Sequence, residues 1–253
     1  MLELQGICKM FTGLTALMDV SFRVQEGAIK GLIGPNGAGK TTLFNTVTGV
    51  YRPTRGSIIF AGRDITSLDQ AQIALLGVSR TFQQARLFRS LTVMENALLG
   101  RHSHGASEFF SCGLRFPQAK REERAMREKA LYYLDLLGLA DKTDRVAAKL
   151  PMGEQRWLEV ARALAAEPKL LLLDEPTAGL NERETDDFRD LLFGIRGEGI
   201  TILVIEHHMK FIMETCDEIV VLNFGVKIAE GSPKEIQSSP AVIEAYLGAE
   251  ERE

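Results

Sequence analysis

The sequence predicts an α/β fold: a mostly parallel sheet core, an antiparallel β part ahead of it, and an α-helical subdomain inserted within it. Three observations carry this. The apolar runs IKGLI, LLLLD and ITILVIE have the length and continuity of strands buried on both faces. A glycine-rich turn joins the first of them to a helical segment, in GPNGAGKTTLFN. From residue 86 to residue 150 the chain changes character, and AKREERAMREKALYYLDLLGL places dense charge on the outer face of a helix.

The elements follow in order. LELQGICKMF and VSFRV alternate as short strands of the N-terminal part. TTLFNTVTG is a helix closed by Gly49, and PTRGSIIFAGRDI a turn and strand. After the charged insertion, LLLLD and ITILVIE resume the β/α rhythm, with ERETDDFRDLLFGIRGEG as the crossover helix between them. IVVLNFGVKIAEGS suggests a closing hairpin. SPKE then supplies a serine cap at Ser232, a proline at the first helical position and a glutamate three after the cap. Residues 1–253 read as one domain, with 1–85 and 151–253 forming its core and 86–150 the helical insertion.

Composition narrows the function. The 253 residues are 45% hydrophobic and 25% charged, an ordinary globular balance. A formal net charge of -4 argues against nucleic acid as a partner, because broad phosphate-backbone contact needs clustered positive charge. Cys8, Cys112 and Cys216 are an odd count without C-x-x-C spacing, which suggests neither a disulfide framework nor a zinc ribbon and fits a reducing compartment. MLELQGICKMF lacks a basic region followed by an apolar run, and no apolar stretch is long enough to cross a bilayer. If the chain works at a membrane, another chain must supply the span.

The chemistry begins at Gly34, Pro35, Asn36, Gly37, Ala38, Gly39, Lys40, Thr41 and Thr42, which match G-x-x-x-x-G-K-[ST] between a strand and a helix. Glycines there let backbone N–H groups turn toward phosphate oxygens, and the helix N-terminus adds a favourable partial charge. Lys40 is expected to reach the β- and γ-phosphates and Thr41 to hold magnesium. In LLLLDEP the strand delivers Asp174 to its C-terminal end as a second magnesium ligand. Glu175 points differently, because side chains alternate along a strand, and is the candidate for polarising the attacking water.

These elements, in this order, closely resemble the nucleotide-binding subunit of an ABC transporter, over essentially the whole chain. The resemblance implies a P-loop NTPase core of RecA-like type that binds and hydrolyses ATP with Mg2+. It implies that Phe11 stacks on adenine, although a buried aromatic there also fits simple packing. Gln83 in SRTFQQARLF matches the glutamine that senses magnesium and the membrane partner. In ITILVIEHHMK, His207 matches by spacing the histidine that contacts the γ-phosphate, and His208 falls where the family often has an acid. AGLN matches the inter-subunit loop, with Asn181 where aspartate is usual, so the loop lacks that charge.

The family signature, commonly LSGGQ, falls at LPMGEQRWLEVARALA. Leu150 and Gly153 match, while Pro151, Met152 and Glu154 replace serine, glycine and glutamine. In the family this element contacts the γ-phosphate of the ATP held by the opposite subunit, so Gly153 is expected to serve the partner's ATP. Pro151 removes the hydroxyl, a hydrogen bond to a charged group worth about 1.5–3 kcal/mol, while the helix N-terminus retains about 0.3–1 kcal/mol of attraction. Glu154 is expected to turn away from the phosphates.

GPNGAGKTTLFN, RTFQQARLF, LTVMENALLG, VIEHHMK and AYLG look most like an ATPase subunit of branched-chain amino-acid importers. Similar cassettes drive urea uptake or lipopolysaccharide export, and a regulatory ATPase outside transport is a further alternative. The resemblance implies transmembrane permease subunits, a second ATPase subunit, identical or paralogous, in a head-to-tail dimer, an indirect link to a solute-binding protein, and a peripheral place on the cytoplasmic face of the inner membrane. His102, His104 and Cys112 form only a weak metal pattern without a fourth ligand, and the apolar FF and LRF pieces around them fit packing or docking equally. Trp157 has the spacing of a core-facing residue alongside Ala161, Leu164 and Ala165.

Overall fold

Three strands are buried at every residue: β3 (Ile29–Ile33), β7 (Leu170–Asp174) and β8 (Thr201–Ile205). Continuous apolar runs permit this because both sheet faces are covered. A computed structural model describes residues 1–81, 87–101 and 117–250 of the chain, without the side chains of 117–123 and 247–250. In it the buried strands belong to a six-stranded sheet ordered β10-β9-β3-β8-β7-β6. Strands β9 (Glu218–Asn223), β3, β8, β7 and β6 (Val78–Arg80) run parallel, and β10 (Val226–Gly231) closes the edge as an antiparallel hairpin partner of β9.

The second sheet is antiparallel, ordered β2-β1-β4-β5, and built from β1 (Leu2–Phe11), β2 (Leu14–Val24), β4 (Arg55–Phe60) and the two-residue β5 (Arg63–Asp64). Between the sheets sits α1 (Lys40–Val47). Alternation along the parallel strands sorts side chains between two cores. Leu32, Leu172, Leu203 and Leu222 pack with Leu43, Phe44 and the N-terminal sheet. Ile33, Leu171, Leu173, Ile202 and Val204 pack on the opposite side, in a core to which four further helices contribute most. Those helices are α3 (Val93–Leu99), α4 (Pro117–Leu136), α5 (Met152–Ala165) and α6 (Glu182–Gly197).

The other helices are α2 (Gln70–Leu75), α7 (Met209–Thr215), α8 (Pro233–Gln237) and α9 (Pro240–Glu250). The Ser232 side chain caps α8 in a reciprocal box with Glu235, and Pro233 opens the helix, as SPKE suggests. Neither α2 nor β6 is evident from sequence. Strand β6 is three residues long, too short to show a period, and exists because Val78 to Arg80 find the edge of β7. Lys30 also departs from the reading of IKGLI as purely apolar: its ammonium is buried and bonds to the Arg23 carbonyl, Glu218 and Glu230. One buried cation thereby fastens β3 to β2, β9 and β10.

Trp157 is half-buried, edge-on to Phe188 with ring centroids 6.0 Å apart, and Phe188 stacks on Phe211 at 6.1 Å. Because Phe188 is fully buried, F188A should cost about 3–5 kcal/mol of stability, measured by denaturant unfolding, through lost burial and a cavity between α5, α6 and α7.

Candidate functional site

Ends of parallel strands gather the candidate residues. The loop Gly34 to Gly39 leaves the C-terminal end of β3, the strand seated between β8 and β9. Two glycines are required there. Gly34 has φ 151°, and a β-carbon on it would collide with the Leu222 carbonyl; Gly39 has φ 101°, and a β-carbon on it would lie 2.7 Å from the Ala16 carbonyl oxygen. The loop is braced from the far end of the chain, since Gly225 N–H donates to the Ala38 carbonyl at 3.0 Å and the Gly225 carbonyl accepts from Met18 N–H at 2.8 Å.

Lys40, the first residue of α1, is 6% exposed. Its ammonium donates to the Gly34 carbonyl at 2.7 Å and the Pro35 carbonyl at 3.0 Å. Burial holds its pKa below the ordinary lysine value, opposed by the nearby Glu175 and Asp174 carboxylates. Gly39 offers α1 no side-chain cap, so the leading N–H groups of the helix face the loop without that competitor. A buried ammonium, an uncapped helix start and glycine backbone that side chains could not occupy fit a polyphosphate.

Asp174 ends β7, 3% exposed, and its Oδ2 accepts from Arg80 Nη2 at 2.8 Å. Arg80, at the end of β6, also donates to Asn45 Oδ1 on α1 at 2.6 Å and lies over the Phe44 ring. Asp174 and the exposed Thr41 offer hard oxygen donors of the kind magnesium takes together with substrate phosphates. Glu175 follows at φ 50°, a left-handed conformation rare for a residue with a β-carbon, so its carboxyl leaves the strand direction. There Glu175 Oε1 lies 3.0 Å from His207 Nε2, the imidazole donating when that nitrogen carries the proton. His207 follows β8, and its neighbour His208 is the N-cap residue of α7 without a side-chain cap bond.

Phe11 stands at the end of β1, 38% exposed, edge-on to Tyr51 at 5.2 Å between centroids. The Lys9 ammonium lies 5.0 Å from the Phe11 ring and 5.4 Å from the Tyr51 ring. This is an exposed aromatic shelf, not core. Gln83, like His102, His104 and Cys112, lies outside the described residues.

Gly153, in the first turn of α5, is buried against the Trp157 ring and the Glu184 carboxylate of α6. Pro151 is the N-cap of α5, with no side-chain cap bond. Glu154 pairs with Lys142 at 3.3 Å, turned toward the short turn at Ala140–Lys142. Met152 is 64% exposed, and Asn181 caps α6 in a reciprocal box with Glu184. Sequence reasoning missed Arg80, Asn45, Tyr51 and Thr177, the last a donor to the Glu206 carboxylate, because their roles come from pairings with residues far along the chain. Only Glu206 left a local signal, a carboxylate closing the otherwise apolar ITILVIE.

Comparison with known proteins agrees with this geometry. The family described as ABC transporter matches residues 17–178, and that described as branched-chain amino acid ATP-binding cassette transporter matches residues 226–252. The chain is 44% identical to the high-affinity branched-chain amino acid transport ATP-binding protein BraF of Pseudomonas aeruginosa, over 98% of this chain and 97% of that one. It is likewise 44% identical to the LivG protein of the same description from Salmonella typhimurium, over 98% of each. Among solved structures, the ADP conformation of an ATP-binding cassette of an ABC transporter superposes with a TM-score of 0.86 at 36% identity, covering 98% of both chains. With a P-loop NTPase fold, a glycine cradle at the end of its central strand and relatives matched almost end to end, the chain belongs to the ABC transporter family as an ATP-binding cassette.

Proposed function

We propose that the chain is the ATP-hydrolysing subunit of a membrane importer for branched-chain amino acids. The observation that carries this reading is full-length similarity to BraF and LivG together with the family match at residues 226–252. Among the described residues no helix is long and apolar enough to cross a membrane, which fits a subunit docked peripherally on transmembrane permease chains at the cytoplasmic face. A solute-binding protein would deliver cargo to those chains. The domain division is part of the proposal: 1–85 and 151–253 as nucleotide-binding core, 86–150 as helical insertion.

In this reading the Gly34 to Thr42 loop holds the triphosphate, with Phe11 under the adenine. Asp174, Thr41 and Gln83 would hold magnesium, which supplies charge neutralisation on the phosphates. Glu175 polarises the attacking water, and His207 both steadies Glu175 and reaches the γ-phosphate. A second cassette, identical or paralogous, lies head to tail, and Gly153 with the start of α5 serves its ATP. Since Pro151 carries no hydroxyl, two different subunits would make two unequal sites.

Three measurements test this. Stimulation of ATP turnover in liposomes containing the permease chains is expected with a binding protein loaded with leucine, isoleucine or valine; stimulation by another solute class would replace the cargo assignment. E175Q should keep ATP binding while slowing turnover by about 10²-fold, and full turnover would remove Glu175 from the role of base. M152D should weaken ATP-driven dimerisation by ~10-fold or more in sedimentation, because its charge would meet the partner's phosphates. Its melting temperature should hold, since Met152 is exposed and an acidic first turn suits a helix.

A further inference from the structure

Glu206 is a buried acid to which the reading above gives no task. It directly follows β8 at 3% exposure and, among the described residues, forms no ion pair within 4.0 Å. Four donors converge on it instead. Oε1 accepts from the Thr177 N–H at 2.7 Å and the Thr177 hydroxyl at 2.6 Å. Oε2 accepts from the His207 N–H at 2.9 Å and the His208 N–H at 3.3 Å. These bonds satisfy both oxygens and offset the cost of burying the group.

The two oxygens face two different loops. Thr177 lies two residues beyond Glu175, in the turn from β7 to α6; His207 and His208 open the turn from β8 to α7. Glu175 itself sits at φ 50°, a strained conformation that persists only where its surroundings impose it. Its N–H is held by the Ile205 carbonyl at 2.9 Å, one residue before Glu206. The 3.0 Å approach of His207 to Glu175 therefore depends on two loops being held at a fixed separation, and Glu206 is the side chain bonded to both.

We propose that Glu206 is a positioning residue for hydrolysis: its carboxylate clamps the Glu175 turn to the His207 turn and so aims the water-polarising carboxylate. This rests on the reading of Glu175 as the base. Gln is nearly the same shape as Glu and can still accept from Thr177, but its NH2 group then meets the N–H groups of His207 and His208 donor to donor. The clamp opens on one side while the volume stays filled.

The test measures kcat, KM for ATP, and melting temperature on the full chain for E206Q, T177V, E175Q and the double variant E175Q/E206Q. E206Q should lower kcat by roughly 10- to 100-fold, as expected for a misplaced catalytic group, with KM within about twofold of wild type. T177V, which removes one hydroxyl donor without changing shape, should lower kcat by a few-fold. The double variant should turn over within about threefold of E175Q alone, because a clamp has nothing to aim once the base is gone. Wild-type kcat in E206Q overturns the proposal, as does a multiplicative loss in the double variant. If E206Q is too unstable to assay, wild-type kcat in T177V overturns it. Full turnover in E175Q would fell the underlying reading and the clamp with it, whereas a slow E175Q beside a fast E206Q fells the clamp alone.

Discussion

A sheet covered on both faces has room for polar chemistry only where its strands end. The strands β3, β7 and β8 are buried throughout, with one core on each side. Because they run parallel, their C-terminal ends open on one side, and the connections there are what the site is made of. Gly34 follows β3, Arg80 ends β6, Asp174 ends β7, and Glu206 with His207 follows β8. The exception is Lys30, inside β3, whose burial is compensated by two carboxylates and a backbone carbonyl.

That arrangement explains what could be read from sequence. Runs such as LLLLD declare a buried strand by continuity alone, and a glycine-rich turn between strand and helix declares its geometry by composition, so core strands and phosphate loop were both legible. Helix α8 was legible because its cap, proline and glutamate lie within four residues. The rest depends on pairs that no local pattern encodes. Arg80 meets Asp174 across 94 positions and Thr177 meets Glu206 across 29, so neither partnership leaves a mark in either stretch. Strand β6 is invisible for the same reason: it is a strand only because β7 is beside it.

The departures from the signature pattern acquire a local logic in the structure. Glu154 at the start of α5 would repel phosphates, but Lys142 draws it aside. Asn181 lacks the charge of aspartate, yet its amide oxygen accepts the Glu184 N–H and caps α6 as an aspartate would. Met152 lies near Gly179, just ahead of that cap, so the start of α5 and the loop before α6 form one continuous surface. At Pro151 and Met152 that surface carries apolar side chains, Met152 being 64% exposed.

The bracing of the phosphate loop by Gly225 has a meaning for biosynthesis. Strand β3 pairs with residues 202–205 on one side and 218–221 on the other, and the loop after it is tied at Ala38 to a hairpin tip more than 180 positions downstream. A ribosome makes the cradle residues well before their supports, with a long loop to close between them. The loop therefore gains its full bracing only after the chain has been made through Gly225.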